Sequence, residues 1–152
     1  MTRKLNLGSG NRKREDWINI DINSNNNPDI VRDISKGLPF DDDSVDEIYI
    51  SHVIEHLKWE DFFFVMSEMH RVCKKGAQLQ IIVPSPTFIE GAFDIDHRIV
   101  INKRSFQIYD RNFSGCQDYT KFNYNRFWTI ISIEDDKEGK KGEPQLYITL
   151  QK

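Results

Sequence analysis

The chain has 152 residues, enough for one core that buries roughly 68–70% of the unfolded surface, and a single domain over 1–152 is expected. Hydrophobic residues make up 38% and aromatics 12%, which excludes wholesale disorder; 24 acidic against 21 basic side chains leave a net charge of −3, which argues against a broad nucleic-acid or anionic-membrane surface. No apolar run approaches ~18 residues and "MTRKLNLG" is too short and polar for a signal peptide, so a cytoplasmic protein with no membrane partner is expected.

The first strand, 4–7 ("KLNL"), runs into Gly8-Ser9-Gly10. Without side chains at Gly8 and Gly10 the backbone can turn sharply after Leu7 and approach a ligand closely, although an ordinary strand-ending turn has the same residues. The second strand, 17–21, ends at Asp21, where a carboxylate can accept from both hydroxyls of a ribose or serve as a turn or cap residue. Nine residues, 8–16, separate the two strands, and a parallel crossover usually takes a dozen or more. Either "NRKRED" makes one tight helical turn or the strands are not parallel neighbours. A nicotinamide-type dinucleotide site fits worse: Lys13 stands where the third glycine belongs, and Asp21 follows Gly10 by eleven residues rather than ~20. Arg12, Lys13 and Arg14 form a basic turn that is solvated or faces an anionic ligand.

A third strand, 29–33, is followed by "GLPFDDDS", a turn in which Asp41 to Asp43 read as solvated. The fourth strand, 45–51, leads into "HVIEH", His52 to His56, which has the H-x-x-E-H pattern of inverted zinc proteases. Because His52 leaves a strand directly, the two rings are not expected on one helical face, and no metal site is expected. "WEDFFFVMSEMHRVCKKGA" is the one long helical pattern, with Phe62, Val65, Met66, Met69, Val72 and Cys73 on one stripe and Gly76 as its stop. Cys73 reads as a small core residue, and two cysteines are too few for a disulfide framework.

The fifth strand, 78–83, ends at "VPSPT". Residues 87–126 hold one helix near 103–110 and the cluster "DIDH", Asp94 to His97, which can supply a general base, bind a metal or form a polar turn. Strands at 127–134 and 145–151 flank the solvated hairpin loop "DDKEGKKGEP". Throughout, the strands alternate: Leu5/Leu7 around Asn6, Ile18/Ile20 around Asn19, Ile48/Ile50 around Tyr49. Strands buried by helices on both faces would be apolar throughout. The sheet is therefore expected to be one-sided over its first half, with residues 87–126 or a second subunit covering part of the other face.

The stretches "LNLGSG", "WINIDI", "DIVRDISKGLPFDDDSVDEIYISHVIEHL", "SEMHRVCKKGAQLQIIVPSP" and "DIDHRIV" resemble, in order, a small class I S-adenosylmethionine (SAM)-dependent methyltransferase of the type 11-like kind. The resemblance implies an α/β Rossmann-like fold: a mostly parallel seven-stranded sheet with an antiparallel C-terminal hairpin, its helices reduced on one face. It implies SAM as cofactor, with the loop Leu7, Gly8, Ser9 and Gly10 against the methionine half, Asp21 and Ile22 at the ribose, Asp33 and Ile34 at the adenine, and His52 at the methyl end. Asp/His turns similar to "DIDH" lie near the substrate side in that family, so His97, His52 and Asp94, in that order, are the candidate catalytic bases. With no "NPPY"-like motif and no basic surface, a small-molecule or sugar-containing acceptor is expected, with S-adenosyl-L-homocysteine as product and no nucleic-acid partner. The alternative is a non-catalytic relative that binds SAM, a nucleotide or a partner protein. A homodimer through the uncovered sheet face is the expected assembly.

Overall fold

Strand register turns the alternating sequences into one continuous apolar face. The computed structural model describes residues 2–88, 94–107, 109–110, 127–139 and 142–152. Its strands are β1 (Lys4–Leu7), β2 (Ile18–Asp21), β3 (Ile30–Val31), β4 (Val45–Ser51), β5 (Cys73–Pro84), β6 (Thr129–Asp136) and β7 (Gln145–Gln151). They form one seven-stranded sheet in the order β3-β2-β1-β4-β5-β7-β6. β1 through β5 pair in parallel and β7 runs antiparallel to both β5 and β6. Leu5 faces Ile18 on one side and Ile48 on the other, Ile48 faces Leu79, and Leu79 faces Leu150, so one face is aliphatic across five strands.

Helix α1 (Trp59–Val72) lies on that face. Its buried residues Phe62, Val65, Met66, Met69 and Val72 recur at helical spacing, and all join the sheet residues in one core. The short helix α2 (Lys103–Gln107) adds Phe106 to the same core, and the Tyr109 ring stands 6.0 Å from Phe62. The described part of 87–126 therefore packs beside α1 rather than over the second face. The remainder of that stretch (89–93, 108 and 111–126) lies outside the described residues.

α1 does not run to Gly76. The chain turns extended at Cys73 and enters β5 at once, and Gly76, at φ +84°, sits inside the strand. Val45 pairs Cys73 while Glu47 pairs Gln78, so residues 74–77 are looped out as a bulge against β4, and the positive φ at Gly76 lets the strand bend there. The Gly76 N–H is taken by Lys152 O at 2.8 Å. Cys73 is fully buried, and that burial pushes its thiol up to about 12, which makes it inert. Nor is the Asp41–Asp43 turn merely solvated. Asp42 Oδ1 accepts from Arg71 at 2.7 Å and Asp43 Oδ1 from Lys152 at 2.6 Å, fastening the turn to α1 and to the chain end.

β1 and β2 are parallel neighbours with no helix between them. A four-residue strand rises only ~13 Å, and the ten residues 8–17 can span about 30 Å, so turns alone return the chain. In place of a helix, Asn19 organises the crossover. Its Oδ1 accepts from Asn6 Nδ2 (2.9 Å) and from Arg14 N (2.8 Å), and its own backbone N donates to Asp29 Oδ2 (2.7 Å). Arg14 then lies over Tyr49 (4.0 Å) and Trp17 (4.4 Å). The polar face of β1 and β2 is thereby buried, with Asn6 and Asn19 both 3% exposed.

The hydrogen bond from Asn19 N, followed by that from its side chain and those from Lys13, holds the Asp29 carboxyl below the usual carboxylate range. A depressed folded-state value means stability that is fully present above the unfolded value of ~3.9 and lost as pH falls from there through the lower folded value. Melting temperature is therefore expected to fall more steeply below about pH 4 in the natural chain than in Asp29→Asn. Parallel melting curves for the two across that range would contradict the assignment.

Candidate functional site

The glycine loop is clamped to the end of β2 from two directions. Gly8 N and Ser9 N both donate to Ile20 O (2.8 and 3.1 Å). Asp21 Oδ2 accepts from Gly10 N at 2.7 Å, while its Oδ1 takes Asn23 N (2.8 Å) and Asn26 Nδ2 (3.2 Å). Gly8 and Gly10 adopt φ of +65° and +48°, conformations that disfavour a side chain. The two differ in surroundings. A methyl on Gly8 would overlap the Val53 side chain, whereas nothing lies within 4 Å of one on Gly10. The Ser9 hydroxyl is buried with no partner among the described residues.

Beside this loop lies an open cleft of about 1060 Å³, walled by residues 8–14, by Tyr49, Ser51 and His52 at the end of β4, and by Gln145 at the start of β7. Sites for drug-sized ligands run ~300–1,000 Å³. Lys13 in its wall is held by Asn27 O and Asp29, and Arg14 is stacked on aromatic rings. The Arg12 side chain has no partner among the described residues, so it is the cation left to face a ligand. Leu7 is fully buried core. Asp21, Ile22, Asp33 and Ile34 are not part of the cleft wall. Asp33 caps the 3₁₀ turn Ile34–Lys36 by accepting from Ser35 N, and the Ser35 hydroxyl first, with that N–H behind it, holds its carboxyl below the ordinary range. Ile34 is buried, but Ile22 is 67% exposed at the end of β2, beside Val31 of β3 at 56%.

His52 occupies a left-handed conformation (φ +54°) immediately after β4, while its N–H still continues the ladder to Ile82 O. Such backbone is uncommon for a residue with a side chain and clusters at functional sites. Its Nε2 lies 3.2 Å from Gln145 Nε2 and its Nδ1 3.4 Å from Glu55 Oε1. With the Gln145 amide donating, Nε2 accepts and the proton sits on Nδ1, facing Glu55.

His97 and Asp94 do not line this cleft. His97 stacks edge-on against the His56 ring, 4.8 Å between centroids, and Asp94 is exposed with Oδ1 accepting from Ile95 N. Tyr49, Ser51 and Gln145 were not anticipated in the cleft wall, nor was Glu55 outside it, against His52. Tyr49 and Ser51 read in sequence only as the polar alternates of β4, and Gln145 reaches the cleft because β7 inserts beside β5.

Residues 13–81 match the family described as "Methyltransferase domain", a span that begins just after the glycine loop. Comparison with curated proteins gives no match. Among solved structures, the chain is similar to a SAM-dependent methyltransferase from Archaeoglobus fulgidus (17% identity, TM-score 0.67, covering 99% of this chain and 86% of that one). It is also similar to a 1,6-didemethyltoxoflavin-N1-methyltransferase from Burkholderia thailandensis (10%, 0.63, 98% and 70%) and to a geranyl diphosphate C-methyltransferase from Streptomyces coelicolor (13%, 0.62, 99% and 71%). Both of the latter were solved with S-adenosylhomocysteine bound. At these identities the likeness establishes the fold, which is that of class I SAM-dependent methyltransferases.

Proposed function

On this class I methyltransferase fold, we propose that the chain transfers a methyl group from SAM to a small-molecule or sugar-containing acceptor. The observation that supports the reading most is the Asp21-clamped glycine loop opening, at Gly10, onto a cleft that ends at His52. SAM, when bound, supplies an activated sulfonium methyl. Arg12 suits the carboxylate of an amino-acid moiety, and exposed Ile22 and Val31 suit the face of a planar base. A carboxylate has about four acceptor sites; three on Asp21 are used internally, so it can take one ribose hydroxyl rather than two. Among the three candidate bases only His52 faces the cleft, its ring oriented by Gln145 and Glu55.

Alignment of the acceptor is the chain's main task in such a displacement, and good positioning contributes ~7–11 kcal/mol. A positioned base adds ~10²–10⁴-fold where the acceptor is a hydroxyl or amine. The solved neighbours methylate a nitrogen of one acceptor and a carbon of another, so the acceptor is not given by the fold. The homodimer expected from the sequence would use the part of that face that bears Glu47 and Gln80, outside the cleft.

Incubation with methyl-labelled SAM and a panel of hydroxyl, amine and sugar acceptors tests the proposal. Label transfer to any of them, reduced in His52→Ala, is the expected result. A second reading, a SAM-binding relative without catalysis, is favoured by the placement of two of the three candidate bases, His97 and Asp94, away from the cleft. Cofactor binding with no turnover across the panel would select it.

A further inference from the structure

Two motifs that are separate in the sequence, "HVIEH" and "DIDH", meet in the fold. Backbone hydrogen bonds from Arg98 N and Ile99 N to Glu55 O (2.8 and 3.2 Å) lay the 94–99 segment against the 3₁₀ turn Ile54–His56. One donor atom each from Glu55, His56 and His97 then falls within 4.8 Å of the others. We propose that these three residues form a binding site for a divalent transition ion of the zinc type, distinct from the cofactor cleft.

Glu55 makes the strongest case. Its residue is 2% exposed, yet neither carboxylate oxygen has a hydrogen-bond partner among the described residues. His52 Nδ1 lies 3.4 Å from Oε1, at the outer limit of a useful contact. A buried carboxylate with one distant donor is costly, and coordination to a cation is one of the few ways to compensate it. His56 has the outer partner that a histidine ligand needs. Its Nδ1 lies 3.3 Å from Asp96 O and 3.4 Å from Asp96 Oδ2, and a proton held there leaves the lone pair on Nε2. Beside Glu55 and His97 is a small cavity of about 10 Å³, close to the volume that admits one water-sized species.

Two imidazoles and a carboxylate are the donor set of zinc-type ions rather than of calcium or magnesium, which prefer all-oxygen shells. Bonds of ~2.0–2.1 Å hold tetrahedral ligands ~3.4 Å apart, so binding draws the three groups inward by roughly 1 Å. The ion would fasten the 94–99 segment to the end of β4, one contact away from His52.

The test uses the full chain stripped of metal, with Cys116→Ser to remove the second thiol from the count, titrated with zinc chloride by calorimetry and with cobalt(II) by visible absorption. One ion per chain at micromolar affinity or tighter is expected. His97→Ala and the near-isosteric Glu55→Gln should each weaken it by more than the ~10–100-fold typical of outer-shell partners, with circular dichroism unchanged. Asp94→Ala, which removes one of the two exposed carboxylates that also surround His97, should bind as the natural chain does. Absence of stoichiometric binding would overturn the site, as would natural affinity in His97→Ala. Equal competition by magnesium together with loss in Asp94→Ala would overturn it too, marking a surface carboxylate cluster instead. SAM is absent throughout, so neither result bears on the methyl-transfer reading.

Discussion

Gly8→Ala is expected to lower the melting temperature by roughly 4–20 °C and to abolish binding at the glycine loop. Two costs combine at this position. The φ of +65° is one an alanine occupies only at a penalty of about 1–2 kcal/mol. The new methyl would also overlap the Val53 side chain, and overpacking of that kind costs about 1–3 kcal/mol. Together they reach about 2–5 kcal/mol, and each kcal/mol moves the midpoint of a chain this size by about 2–4 °C. Val53 leans on the loop from the start of the 52–56 segment, so displacing it disturbs both walls of the cleft. Gly8→Ala combined with Val53→Ala removes the overlap but not the backbone strain, and should melt above the single Gly8→Ala variant. A Gly8→Ala chain that melts with the natural protein would show that the loop does not have the tight turn described. Gly10→Ala meets open space and carries only the backbone cost.

Asp21→Ala is expected to weaken SAM binding by at least about 100-fold and to reduce stability by about 2–4 kcal/mol. The side chain is 7% exposed and accepts from Gly10 N, Asn23 N and Asn26 Nδ2. Removing it leaves those donors to find water in a site with little room, at about 1–3 kcal/mol for each that stays buried. The consequences run in sequence: the glycine loop loses its tie to β2, and the ligand loses both the loop geometry and the carboxylate. Asp21→Asn keeps the shape and one acceptor oxygen, so it should retain more stability than Asp21→Ala while still binding SAM more weakly. Natural affinity in Asp21→Ala, read by calorimetry, would remove Asp21 from the site.

The strand pattern was readable because alternation is imposed by the pleat. Leu5, Ile48, Leu79 and Leu150 are each apolar between polar neighbours, and register then aligns them without further information. The same alternation led to the expectation of a one-sided sheet; among the described residues α1 lies on the aliphatic face and the 8–17 crossover buries Asn6 and Asn19 on the other. The end of α1 was not readable, because "CKKG" is also how a helix stops; what decides the matter is the pairing of Cys73 with Val45, a contact across 28 residues. The short crossover looked anomalous because typical crossovers serve longer strands, whereas β1 has only four residues to retrace. Asn19 gave no local sign that it would join Asn6, Arg14 and Asp29, since a polar residue on an outward face is ordinary. The meeting of Glu55 with His97 depends on the 94–99 segment pairing its backbone with Glu55 O, which no spacing within either motif encodes.

Within the candidate site, the loop Gly8–Gly10, its neighbour Asp21 and the position of His52 came from short motifs because each sits at a strand end, where sequence order and spatial order coincide. The other candidate bases lie farther along the chain. His97 and Asp94 come after a long excursion, and the fold brings His97 to Glu55 and His56 rather than to the cleft.

Calorimetric titration of the natural chain with S-adenosyl-L-homocysteine tests the central claim most directly. Saturable binding of one ligand per chain, lost in Asp21→Ala, is the result this structure predicts. No heat of binding at millimolar ligand, with the chain folded, would contradict it.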